Sequence, residues 1–166
     1  MSRIFLIGFM GAGKTTVGEL LAKRMKFSFY DTDQMIVSDE RREIVEIFSS
    51  DGEEYFRDLE TKKLQEIEDS DETVFSTGGG IILRESNRKI LNRNFSVYLK
   101  ASYETIFERI KQDSSRPLLN TDNPYLTGLE IFESRKDIYE SFERHIETDN
   151  IDPSLVVEEI YSLYNK

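Results

Sequence analysis

The sequence predicts an α/β domain on a mainly parallel sheet with helices on both faces, and three observations carry that prediction. Apolar runs of strand length alternate with helix-period segments from end to end of the 166 residues, the pattern that joins parallel strands through helical crossovers. The first run, Ile4-Phe5-Leu6-Ile7, enters the glycine-rich stretch Gly8-Phe9-Met10-Gly11-Ala12-Gly13-Lys14-Thr15 directly. Thr16 to Met25 leaves that stretch with Val17, Leu20, Leu21 and Met25 at helical spacing, a strand, loop and helix in the order a phosphate-binding loop requires. The length is that of one domain with a core of its own.

In that loop the glycines let the backbone turn tightly enough to aim successive N–H groups at one anion, and the following helix adds the positive end of its dipole. Lys14 is then placed to reach the β- and γ-phosphates of a nucleoside triphosphate, and Thr15 to offer its hydroxyl to magnesium. Thirty-two acidic against 22 basic residues give a net charge of −10, which argues against a nucleic-acid surface and makes each well-placed arginine informative. The absence of cysteine removes disulfides, thiolate metal sites and a cysteine nucleophile. A core strand beginning within three residues and no apolar run of spanning length give the expectation of a cytoplasmic protein with no membrane segment. A monomer is expected from size.

Taken in order, Phe27 to Tyr30 is a short second strand ending in Asp31-Thr32-Asp33. Two carboxylates at a strand's carboxyl end sit where open α/β sheets place ligands. One can hold a magnesium-bound water and the other accept a hydroxyl proton, or Asp31 or Thr32 simply N-caps the next helix. Residues from about 32 to 50 and from 52 to 68 read as two helices, with Ile44, Ile47 and Phe48, then Tyr55, Phe56, Leu59 and Leu64 inward. Arg57 and Glu60 stand three apart on one helix face, either a carboxylate-binding arginine held by its partner or an ordinary surface ion pair. Thr73 to Ser76 is a strand running into Thr77-Gly78-Gly79-Gly80, where the glycines serve close backbone approach to a ligand or a sharp turn. Phe95 to Leu99 is the next strand. A helix over 102–111 follows, with Ile106, Phe107 and Ile110 inward and Arg109 on the other face.

The polar stretch from Gln112 to Tyr125, which includes Ser114 and carries Arg116-Pro117-Leu118-Leu119, reads as a mobile loop whose arginine either meets a triphosphate or is solvated. A long helix over 126–142 carries Arg135. His145 begins a short strand and reads as structural. Pro153 opens the last helix, with Leu155, Val156, Ile160 and Leu163 as its buried face.

The ordered set of motifs resembles the shikimate kinases nearly end to end. The residues that carry the resemblance are Gly8 to Thr15, Asp31-Thr32-Asp33, Ile47-Phe48 through Gly52-Glu53 to Phe56-Arg57 and Glu60, Thr77 to Gly80, Arg116 to Leu119, and Arg135 to Tyr139. The resemblance implies a three-layer P-loop NTPase fold of the nucleoside-monophosphate-kinase-like kind. It has five parallel strands in the order 2-3-1-4-5, a substrate-binding helical segment over about 32–68 and a mobile lid over about 112–125. It implies transfer of the γ-phosphoryl group of ATP to the 3-hydroxyl of shikimate, on the route to chorismate and the aromatic amino acids.

By the same resemblance Gly11, Ala12, Gly13, Lys14, Thr15 and Thr16 surround the phosphates, and Arg109 and Pro153 flank the adenine. Mg²⁺ sits on Thr15 and, through water, on Asp31, while Arg116 meets the transferring phosphate. Asp33, Phe48, Phe56, Arg57, Gly78, Gly79, Gly80 and Arg135 surround shikimate, with Asp33, Lys14 and Arg116 as the catalytic groups. Rival readings are a gluconate or nucleoside monophosphate kinase on the same scaffold, and a nucleotide-binding module without turnover. The triple glycine with Arg57 and Arg135 argues against the first pair, and Asp33 with Arg116 against the second.

Overall fold

The computed structural model describes residues 2–113 and 115–166; Ser114, within the stretch read as a lid, lies outside the described residues. Five parallel strands run in the order β2-β3-β1-β4-β5, with β1 Arg3–Ile7, β2 Ser28–Asp31, β3 Thr73–Ser76, β4 Phe95–Lys100 and β5 His145–Glu147. β1 is central and buried throughout, so both of its faces are apolar, as a strand covered on two sides demands.

Alternation along the strands divides the core in two. Ile4, Leu6, Val74, Val97 and Leu99 face α1 (Lys14–Met25) and α8 (Pro153–Tyr164), which contribute Val17, Leu21, Val156, Val157 and Ile160. Phe5, Ile7, Phe75 and Tyr98 face the opposite layer. That layer holds α4 (Glu53–Ile67), α5 (Glu85–Asn92), α6 (Tyr103–Ile110) and α7 (Pro124–Glu140). A small third cluster, Ile36, Ile47 and Phe56, joins α2 (Thr32–Glu40), α3 (Ile44–Asp51) and α4 on the β2 side of the molecule.

The helix expected over 32–50 is two helices. Arg41, at the end of α2, adopts a left-handed conformation with φ 54°, which breaks the helix, and α3 restarts where the Glu43 N–H donates to Glu46 at 2.8 Å. Leu155, expected inward, is 63% exposed, because α8 turns Val156, Val157 and Ile160 onto the sheet instead. Leu20 on α1 is likewise exposed, at 41%, while Val17 and Leu21 are buried. Tyr55 stands at the surface, its hydroxyl directed to Glu40 at 3.2 Å. His145 is held by its neighbours: its Nε2 lies 2.5 Å from the Phe142 carbonyl and its ring packs edge-on against Tyr98. None of the described helices is long and apolar enough to cross a membrane.

Candidate active site

All the parallel strands point their carboxyl ends at one edge, and the loops there build the site. From Gly8 to Gly13 the chain turns through three glycines with positive φ, Gly8, Gly11 and Gly13. Gly13 is the left-handed N-cap of α1. Lys14 is buried, and its ammonium donates to the carbonyls of Gly8 at 2.7 Å and Phe9 at 2.9 Å. Burial brings its pKa down to about 8, against the opposing pull of Asp33.

Asp31 is the N-cap of α2, and its other oxygen faces the phosphate loop. Its Oδ1 caps α2 by accepting from the N–H groups of Asp33 and Gln34 at 3.0 and 3.2 Å, while its Oδ2 accepts from the Thr15 hydroxyl at 3.2 Å. Ser76 Oγ lies 3.5 Å from that hydroxyl. These hard oxygens, two neutral and one charged, at a phosphate loop suit Mg²⁺, which keeps much of its water and takes few protein ligands.

Asp33 is the second carboxylate. Its Oδ1 is enclosed and has no hydrogen-bond partner among the described residues. Burial, then the neighbouring Glu60 and Asp31 carboxylates, push its pKa up to about 7, the range in which a carboxylate works as a general base near neutral pH.

The three glycines after β3 have ordinary backbone angles, since none appears among the residues of positive φ. Their need is for space. A Cβ on Gly78 would lie 2.6 Å from both Asp33 Oδ1 and Glu60 Oε1, and one on Gly80 only 2.2 Å from Arg57 Nη1. A Cβ on Gly79 would press on Met10 N at 3.2 Å. The turn is therefore a bare backbone surface against which three charged side chains pack.

Arg57 and Arg135 are both buried, at 5% and 4% exposure, and differ in what holds them. Arg57 is gripped by Glu60 at 2.6 Å and Glu53 at 3.0 Å, so the pair expected on one helix face is an interior one. Glu60 retains a second oxygen with no partner among the described residues, and burial raises its pKa against the pull of Arg57. Arg135 lies near the Phe9 ring, 5.9 Å from its centroid, and burial is the largest influence on it, lowering its pKa. A buried guanidinium not gripped as Arg57 is gripped is suited to receive an anion.

Every residue that the resemblance sets at the phosphates, adenine, magnesium or shikimate lines one of three adjoining hollows. A cleft of about 690 Å³ is lined by Gly11, Gly13, Lys14, Thr15, Thr16, Asp31, Asp33, Gly79, Arg109 and Arg116. A side hollow of about 210 Å³ adds Ala12 and Pro153 beside Arg109, whose guanidinium donates to Gly11 O at 3.0 Å. The third hollow, of about 80 Å³, is lined by Asp33, Phe48, Phe56, Arg57, Gly78, Gly79, Gly80, Arg116 and Arg135. Asp33, Gly79 and Arg116 belong to both the first and the third, so the two meet there.

Several supports were given no supporting role by sequence reasoning, though Thr32, Glu53 and Tyr139 stand within its motifs. Asp113 holds Arg116 at 2.8 Å, a pair three residues apart that spacing alone offers. Glu53, one helical turn before Arg57, was equally available. Thr32, which accepts from Gly78 N at 3.2 Å, and Tyr139, which donates to Gly79 O, act across 46 and 60 residues and leave no local signal.

A phosphate loop opening onto a second, cation-lined hollow through a carboxylate and an arginine defines a P-loop phosphotransferase with a small anionic acceptor. The sequence model of the family described as Shikimate kinase matches residues 10–165. A shikimate kinase of Thermodesulfovibrio yellowstonii is 42% identical over 100% of this chain and 96% of its own. Among solved structures, shikimate kinase from Acinetobacter baumannii in complex with shikimate superposes with a TM-score of 0.94 at 35% identity, over 98% of this chain and 92% of that one. A gluconokinase from Sinorhizobium meliloti 1021, 18% identical with a TM-score of 0.57 over 99% of this chain and 91% of its own, shares the fold alone. The chain belongs to the shikimate kinase family.

Proposed function

We propose that the chain transfers the γ-phosphoryl group of ATP to the 3-hydroxyl of shikimate, giving shikimate 3-phosphate and ADP on the route to chorismate and the aromatic amino acids. The observation that carries the reading is the small hollow where buried Arg57 and Arg135 face Asp33 beside the phosphate loop. Two guanidinium groups match a carboxylate, and Asp33 lies at the seam with the nucleotide cleft, where an acceptor hydroxyl must be placed.

In this reading Gly11 to Thr16 hold the phosphates through loop amides and the Lys14 ammonium, and Arg109 and Pro153 flank the adenine. Arg57 and Arg135 take the shikimate carboxylate, Phe48 and Phe56 wall its ring, and Gly78 to Gly80 lie along it without side chains to intrude. Asp33 orients the 3-hydroxyl and accepts its proton. Arg116, steered by Asp113, neutralises charge developing on the transferring group, and its segment, the lid over about 112–125, excludes water as a competing acceptor. Thr15 and Asp31 would hold Mg²⁺, which when bound would supply charge neutralisation at the phosphates. The segment over about 32–68 forms the acceptor side. The chain acts as a cytoplasmic monomer.

The test is a coupled ADP-release assay with ATP, Mg²⁺ and, in parallel, shikimate, gluconate and nucleoside monophosphates. Turnover with shikimate alone is expected; turnover with gluconate and none with shikimate overturns the reading.

A further inference from the structure

Tyr139 lines none of the three hollows, yet it is tied to both halves of the acceptor site. It stands one helical turn beyond Arg135 on α7 and is fully buried. Its hydroxyl donates to Gly79 O, and the Arg135 guanidinium faces the same hydroxyl. Its ring is stacked on Tyr98 of the sheet, with centroids 5.0 Å apart and planes 8° from parallel, which stops it swinging. On its other side Gly79 is pressed against the phosphate loop, where an added Cβ would sit 3.2 Å from Met10 N and 3.6 Å from Gly8 O. A run of three glycines has no side chain with which to fix its own peptide planes. External contacts must do so, and Tyr139 supplies one from the sheet side.

Resting on the functional reading above, we infer that Tyr139 is a positioning residue for the acceptor: its hydroxyl fixes the Gly79 peptide and the Arg135 guanidinium relative to one another, and so sets the carboxylate end of the substrate pocket. The nucleotide phosphates are gripped by a loop that Tyr139 does not bond. Gly79 lines both hollows, but Arg135, the other group at the Tyr139 hydroxyl, lines the acceptor hollow and not the nucleotide cleft, so the larger share of the Tyr139 contribution falls on the acceptor.

Tyr139→Phe keeps the ring and its stack and deletes only the hydroxyl. The loss of a buried hydrogen bond that leaves Gly79 O unpaired is expected to raise KM for shikimate about tenfold, with kcat and KM for ATP moving less than about threefold. Tyr98→Phe, which removes the neighbouring buried hydroxyl without touching Gly79, is expected to move neither KM. Equal rises in both KM values, a fall in kcat alone, or loss of cooperative melting in Tyr139→Phe assigns the residue a general structural role and overturns the inference. Wild-type turnover of shikimate in the same series separates the two claims. Its absence overturns the functional reading and this inference with it, whereas wild-type turnover with an unmoved KM in Tyr139→Phe overturns the inference alone.

Discussion

The two sides of the cleft solve the same problem, holding an anion in an acidic protein, by opposite means. The nucleotide side is open, about 690 Å³, and its phosphate grip is built from consecutive residues whose backbone turns through glycines of positive φ. The acceptor side is tight, about 80 Å³, and its charges come from α2, α4, α7 and the segment carrying Arg116, set against the bare turn after β3 and brought together only by the fold. Backbone donors cost little to bury because they are part of the turn, whereas side-chain charges must be desolvated and then held. The acceptor side is therefore where the buried, shifted and unpartnered groups collect.

The largest effect expected on that contrast is at the seam. Asp33→Asn should lower kcat by about 10²–10⁴-fold while nucleotide affinity by titration stays within a few-fold; unchanged turnover would remove Asp33 as the base. The same group gives a pH signature. The folded carboxyl, pushed up to about 7, keeps a proton that the unfolded chain, with an ordinary Asp pKa of about 3.9, has already lost. Its contribution to stability is thus fully present below about pH 4 and is lost as pH rises through about 7. Melting of the ligand-free protein should show that decline, and Asp33→Asn should flatten it.

Next, Arg135→Ala should raise KM for shikimate on the order of 10²-fold and leave KM for ATP nearly unchanged, since Arg135 lines the acceptor hollow and not the nucleotide cleft. Equal loss for both ligands would dissolve the distinction. A smaller effect, about tenfold on KM for shikimate with about 1–3 kcal/mol lost in stability, is expected for Gly80→Ala. Its methyl group would displace an Arg57 guanidinium that Glu53 and Glu60 hold in place. Acceptor titration and denaturant melts read the two parts. The smallest is Leu155→Ser, on neither side and 63% exposed, which should leave activity intact and stability within about 0.5 kcal/mol.

The same contrast explains what the sequence made legible. The nucleotide side is contiguous, so strand, loop and helix could be read from Ile4 to Met25, and alternation announced the sheet. On the acceptor side Asp33, Arg57 and the glycines were visible one by one, each with a plain alternative reading, and Arg135 only as a residue of a long helix, until the ordered resemblance drew them together. Whether Arg57 and Glu60 were interior or surface depended on α4 packing beneath the turn, which spacing does not encode. The left-handed break at Arg41 has no glycine to mark it. Leu155 misled because Pro153 and an apolar run do not specify which residues of the first turn face inward.

That break has a consequence for motion. α3 hangs between two corners, Arg41 at φ 54° and Gly52 at φ 88°, with Arg42 clasping Glu40 and Asp51 across it, and it is anchored by the small cluster of Ile36, Ile47 and Phe56, with Ile44, Phe48 and Leu59 packed against it. So thin a core opens at far less free energy than the sheet does, and its amides should exchange with solvent deuterium well before those of β1 and β4. Since α3 carries Phe48 into the acceptor hollow, bound shikimate should slow that exchange more than bound nucleotide does, making the amides of this one short helix a gauge of acceptor occupancy.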